Sequence, residues 1–241
     1  MKGLEIFILF IMAFLPPIIY TIWIRNTEKF DREKWKPIFF CFLWGATIAI
    51  ISSLILEIGL GIPIALTSSN YTIYMFIMAV IIAPFAEELT KPIALRFKIV
   101  KKELVEPEDG LIYGAIAGLG FAATENLFYG WDAIATQGFL FFIILISIRS
   151  LVGCLLHASA TAWTGYGYGK VIMKHSRLFR VIPYFFLAIL IHGFYNFIPV
   201  YGLITGYGSS LFFAMIFILI SIYIVRKKIT TLDQQNHQNI L

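Results

Sequence analysis

Glu87, Glu88, Lys91, Glu125, Arg149, His157 and His192 all fall inside long apolar runs, where a charged side chain is out of place. At the middle of a bilayer such a group costs roughly 2.5–3.5 kcal/mol on insertion scales, so it marks a functional position unless packing explains it. Glu57 also lies in an apolar run, but near its outer end, where a carboxylate reaches the interface. On a helix, Glu87 and Lys91 are i,i+4 and Glu88 and Lys91 are i,i+3, so one ammonium serves either carboxylate. One ion pair would make the segment insertable. The second carboxylate then calls for a proton, a metal or another cation.

Glu125 follows Gly110, Gly114, Gly118 and Ala122, a four-residue spacing that lays small residues on one helix face for close contact with a neighbour. Tyr129 is one turn beyond Glu125. His157 and His192 each stand about twelve residues from a basic loop, roughly 18 Å along a helix, and the glutamates reach a similar depth. Asn196, at i,i+4 to His192, can orient that imidazole or offer its amide to an oxyanion. Cys154, at i,i+3 to His157, raises a thiol–imidazole pair. Arg149 reads as a charge partner or an outer-leaflet anchor.

Carboxylates and imidazoles in one dry layer suit activation of water. In one scheme a glutamate is the general base, with His and Asn stabilising the tetrahedral intermediate. In the other, His157, His192 and Glu125 hold Zn²⁺ while another glutamate acts as base. Both schemes hydrolyse a peptide bond. There is no HExxH, no Asp inside an apolar run and no GxSxG. The same layer would also serve a proton- or ion-coupled transporter, although the inverted repeats of that class are absent. A non-enzymatic membrane scaffold, with the polar layer as structural glue, is the third reading.

The elements that must position these groups are membrane helices. The chain has 241 residues, 59% hydrophobic and 14% charged, with a mean hydropathy of +0.83. Soluble domains average about 25% charged. Seven runs approach or exceed the ~20 residues that a span needs: Gly3–Ile24, Pro37–Leu60, Tyr71–Leu95, Gly110–Trp131, Gly138–Tyr168, Val181–Tyr201 and Ser209–Val225. The first is too long, and lacks the cleavage site, for a secretion signal. Pro84 and Pro92 bracket the Glu87–Glu88 pair and predict an irregular helix there. The fifth run is over-long and is expected to tilt, or to unwind at the glycines of 165–169.

The net charge of +5 is gathered in alternate loops. This pattern suits an anionic leaflet and not a nucleic-acid surface. It places the N-terminus outside and the C-terminus in the cytoplasm. The expectation is an all-α, polytopic, multi-pass protein of the cell membrane, with one transmembrane domain over 1–229 and a polar, disordered tail over 230–241. Two lone cysteines, Cys41 and Cys154, give no disulfide framework.

Glu87-Glu88-Leu-Thr-Lys91, Phe121-Ala-Ala-Thr-Glu125, His157 and His192-Gly-Phe-Tyr-Asn196 occur in this order on separate helices. The order resembles the PrsW family of intramembrane proteases. That family is similar in turn to the CAAX-processing and bacteriocin-processing superfamily, with EExxxR, FxxxH and HxxxN-like motifs. Here Lys91 stands one position earlier than that arginine, and Glu125 replaces the histidine. The resemblance implies Glu87, Glu88, Glu125, His157 and His192 as active-site residues, with Asn196 supporting. It also implies a membrane-anchored protein substrate of the anti-sigma-factor kind. PrsW-like proteins are often labelled metalloproteases, whereas the wider superfamily uses glutamate-activated water.

Overall fold

Apolar runs of this length satisfy their backbone only as helices when water is absent, and the computed structural model is made of helices joined by short connections. It describes residues 3–206 and 209–240, with no strand among them. Among the described residues, seven helices are long and apolar enough to cross a membrane: α1 Gly3–Arg25, α2 Trp35–Thr67, α3 Tyr71–Arg96, α4 Pro107–Thr136, α5 Phe139–Met173, α6 Leu178–Gly202 and α7 Ser210–Asn239. The seven expected spans are all present, mostly longer than the apolar runs alone.

The basic loops gather at one end of the bundle. Lys34 Nζ pairs with Glu103 at 2.7 Å, Arg226 Nε donates to Thr27 Oγ1 at 2.9 Å, and one pocket is lined by residues of both the 96–105 and the 172–175 connections.

α4 is the axis of the fold: 78% of its spanning window is buried, against 22% for α1. Its small-residue face explains this. A Cβ on Gly114 would lie 2.6 Å from the Thr161 carbonyl oxygen, and one on Gly118 would collide with the carbonyl of His157. The α4 and α5 backbones therefore touch, which brings the side chains just beyond the contact into reach of each other.

Two expectations meet a different structure. The glycines of 165–169 do not unwind α5; Gly165 packs directly against Gly110 and Gly114, and the helix runs on to Met173. The irregular turn lies earlier, a π-turn over Arg149–Gly153. Residues 230–240 are not a disordered tail but the continuation of the last helix, which extends to Ile240. Asp233 explains it, since its carboxylate is 2% exposed and accepts the backbone N–H groups of Lys29 and Phe30 at 2.9 and 3.3 Å. The remaining tail residue, Leu241, lies outside the described residues.

Candidate active site

Pro84 organises the α3 side. Lacking an N–H, it cannot bond the carbonyl of Val80, and a π-turn over Met78–Ile82 precedes it. The carbonyls so exposed are used by α6. Asn196 Nδ2 donates to Ala79 O at 2.9 Å, and a Cβ on Gly193 would stand 2.6 Å from Val80 O. Only glycine admits that approach, and it brings His192, the adjacent residue, against Glu88. Beyond Lys91 the helix tightens to a 3₁₀ turn over Lys91–Arg96, with Pro92 at its start.

The second organising feature is the π-turn in α5. Arg149 and His157 are eight positions apart, which in a regular helix puts them about 80° out of register at about 100° per residue. One inserted residue brings them back to within about 20°. Both then meet a single oxygen: Glu125 Oε2 accepts Arg149 Nη2 at 2.7 Å and lies 2.7 Å from His157 Nε2.

Lys91 Nζ is the hub. It lies 2.7 Å from Glu87 Oε2, 2.9 Å from Glu88 Oε1 and 2.8 Å from His157 Nδ1, with the Phe121 ring 4.2 Å away. An ammonium has three protons and no lone pair, so all three are spent and His157 Nδ1 must be the acceptor. The imidazole proton is then on Nε2, donated to Glu125. Both oxygens of Glu88 are engaged as well. Its Oε1 also meets His192 Nδ1 at 3.0 Å, and its Oε2 accepts the Thr161 hydroxyl at 2.8 Å.

Glu87 is different: its bonds all go to Oε2, and His192 Nε2 stands 3.9 Å from that oxygen. Such a separation is too long for a hydrogen bond and suits one bridging water. Burial is graded along the chain of contacts. The side chains of Lys91 and Glu88 are 0% exposed, Glu87 7%, Glu125 19% and Arg149 20%.

The residues expected to act together are thus brought together, except in three respects. Asn196 is committed to the α3 backbone and makes no bond to His192. Cys154 is not the partner of His157; both ring nitrogens are occupied, and the thiol accepts from Asn126 at 3.5 Å. Glu125 stays outside the tightest donor group, which is Glu87, Glu88, His157 and His192, with one donor atom from each within 4.8 Å of the others.

Tyr129 lies under the Arg149 guanidinium, its ring centroid 3.7 Å away. Arg149 and Thr161 were not among the residues assigned to the site from sequence. Arg149 carried a visible signal as an intramembrane cation, and Thr161 carried only its place one turn after His157.

Two imidazoles and two carboxylates are a donor set that zinc accepts. Lys91 Nζ already holds a positive charge among three of the four, so a cation of that charge sign suits the place, with metal and ammonium as alternative occupants.

Residues 33–224 match the family described as PrsW family intramembrane metalloprotease. The chain is 26% identical to the Protease PrsW of Clostridioides difficile (strain 630) over 218 residues, covering 88% of this chain and 86% of that one. It is 28% identical to the Protease PrsW of Shouchella clausii (strain KSM-K16) over 185 residues, covering 74% and 78%. No solved structure matches.

Proposed function

The chain belongs to the PrsW family and is an intramembrane protease; from that premise we propose that Glu87 activates the water that hydrolyses a peptide bond in or near the span of a membrane-anchored protein. The observation that carries this is the asymmetry of the glutamates. Glu88 is locked by Lys91, His192 and Thr161, whereas Glu87 keeps Oε1 unbonded among the described residues and faces His192 Nε2 across 3.9 Å.

A water held between Glu87 and His192 Nε2 gives its proton to Glu87 as it attacks the scissile carbonyl. Protonation weakens the hold of Glu87 on Lys91, so one ammonium N–H turns to the oxyanion as charge develops there. Glu87 then returns the proton to the departing amine. Arg149, Glu125 and His157 act behind this pair; they fix the imidazole tautomer and, through it, the Lys91 head.

A bound zinc would be held by Glu87, Glu88, His157 and His192 and would supply an acidified water. A cavity of about 230 Å³ lies beside Glu88, lined also by Pro92, Thr164, Tyr168, Val181 and Phe185. The substrate class is that of a single-span anti-sigma-factor-like protein in the cell membrane, with the enzyme's C-terminus in the cytoplasm.

The test is cleavage of a single-span substrate by purified protein in detergent. Glu87→Gln and His192→Ala should each lower kcat by at least ~100-fold with the fold intact. Unchanged turnover in both would overturn the assignment. Cleavage that persists under a zinc chelator selects the ammonium-occupied site, and cleavage lost on chelation and restored by Zn²⁺ selects the metal-occupied one.

A further inference from the structure

A second group of carboxylates, two buried and one half-buried, lies at the basic-loop end, outside the proteolytic layer. Glu28 comes from the loop between α1 and α2, Glu106 caps the start of α4, and Glu108 is in its first turn. Donor atoms of the three lie within 4.8 Å of one another. Glu28 and Glu108 are 0% exposed. None of the ion pairs among the described residues involves any of them.

Local capping explains part of the group. Asp109 accepts the N–H groups of Val105 and Glu106 at 2.7 Å each, and the Glu106 side chain closes the capping box. Glu108 accepts Asn236 Nδ2, at 2.9 Å to each oxygen. Glu28 uses Oε2 for the N–H of Glu33 at 3.0 Å, while its Oε1 is buried with no hydrogen-bond partner. The half-charge at a helix start offsets only a fraction of three carboxylates. A buried, unpaired carboxylate oxygen costs too much to persist without compensation.

We propose that Glu28, Glu106 and Glu108 form a binding site for a hard divalent cation of the magnesium or calcium class, which clamps the α1–α2 loop to the start of α4. The donors are oxygens alone, the set that such ions prefer over zinc. Asn236 extends the clamp to the end of α7 through Glu108.

The test uses full-length protein in detergent, stripped with EDTA, titrated with Mn²⁺ and read by loss of the free-ion electron paramagnetic resonance signal. Thermal unfolding with and without Mg²⁺ is followed in parallel. Wild type should bind Mn²⁺ saturably and gain thermal stability from Mg²⁺. Glu28→Gln and Glu108→Gln should each weaken Mn²⁺ binding at least ~10-fold and lose the Mg²⁺ response, while Glu88→Gln in the proteolytic layer keeps both.

Unfolding midpoints in EDTA at or above wild type show that the two variants are folded. No saturable binding by wild type overturns the proposal, as does binding abolished only by Glu88→Gln. Neither readout depends on cleavage, so this site can fail while the proteolytic assignment stands.

Discussion

In the middle of the bundle each buried carboxylate faces a cationic side chain: Glu87 and Glu88 share Lys91, and Glu125 has Arg149. At the basic-loop end the buried carboxylates of Glu28, Glu108 and Asp233 face backbone N–H groups and one amide and, among the described residues, no cationic side chain. The contrast follows the distance to water. A carboxylate at bilayer depth can draw counter-charge only from the chain, so the sequence must carry the lysine and arginine within the same helices. A carboxylate at the membrane surface can draw a proton or an ion from solution, so the chain need not supply one. The first cluster is set by covalent charges, and the second is open to whatever the aqueous phase offers.

The largest effect should come from removing the hub of the inner cluster. Lys91→Met leaves two carboxylates without a cation and should destabilise the protein by about 3–5 kcal/mol, measured by unfolding in detergent. Adding Glu88→Gln to that variant should recover part of the loss. A neutral Lys91→Met would mean that the inner carboxylates are compensated in some other way, and the contrast would collapse.

Arg149→Gln tests the more open end of the same chain. The Glu125 and Arg149 side chains are 19% and 20% exposed, so solvent should replace part of what is lost, and the cost should be about 1–3 kcal/mol. The pH profile of cleavage should shift as well, because Glu125 positions the His157 tautomer. A profile identical to wild type would remove Arg149 from the catalytic chain and leave it an anchor.

The inner cluster was legible in the sequence because polar residues in apolar runs have few explanations. Glu87, Glu88, Lys91, Glu125, His157 and His192 stood out by type and spacing before any geometry. What spacing could not show was the register. Arg149 and His157 share a carboxylate only through a π-turn that no residue announces. Asn196 was assigned to His192 by its i,i+4 position, but the carbonyls released ahead of Pro84 claimed it first.

The outer cluster was not legible at all. Glu28, Glu106, Glu108 and Asp233 come from three segments that each read as ordinary polar loop or tail, where a glutamate is unremarkable. The last helix folds back over the first loop, where Asp233 meets Lys29 from more than two hundred positions away in the chain.

The smallest effect, and the one with the opposite sign, belongs to Glu33, a further buried carboxyl in the loop that carries Glu28. Its Oε2 accepts the Tyr113 hydroxyl, and its Oε1 is buried without a partner. Burial first, then the charge of Asp109, pushes its carboxyl up to about 10. A carboxyl whose folded pKa is raised contributes stability fully below its unfolded value, near 4.3–4.5, and loses it as pH climbs from there toward 10. In EDTA, wild-type stability should therefore fall with rising pH across that window. Glu33→Gln keeps an acceptor for Tyr113 and replaces the ionisable oxygen by an amide, so it should flatten the slope. At pH 7 the gain should be within about 1 kcal/mol, growing at pH 9. If Glu33→Gln instead destabilises equally at pH 5 and pH 9, charge is not what distinguishes the outer cluster, and its carboxylates are held by packing alone.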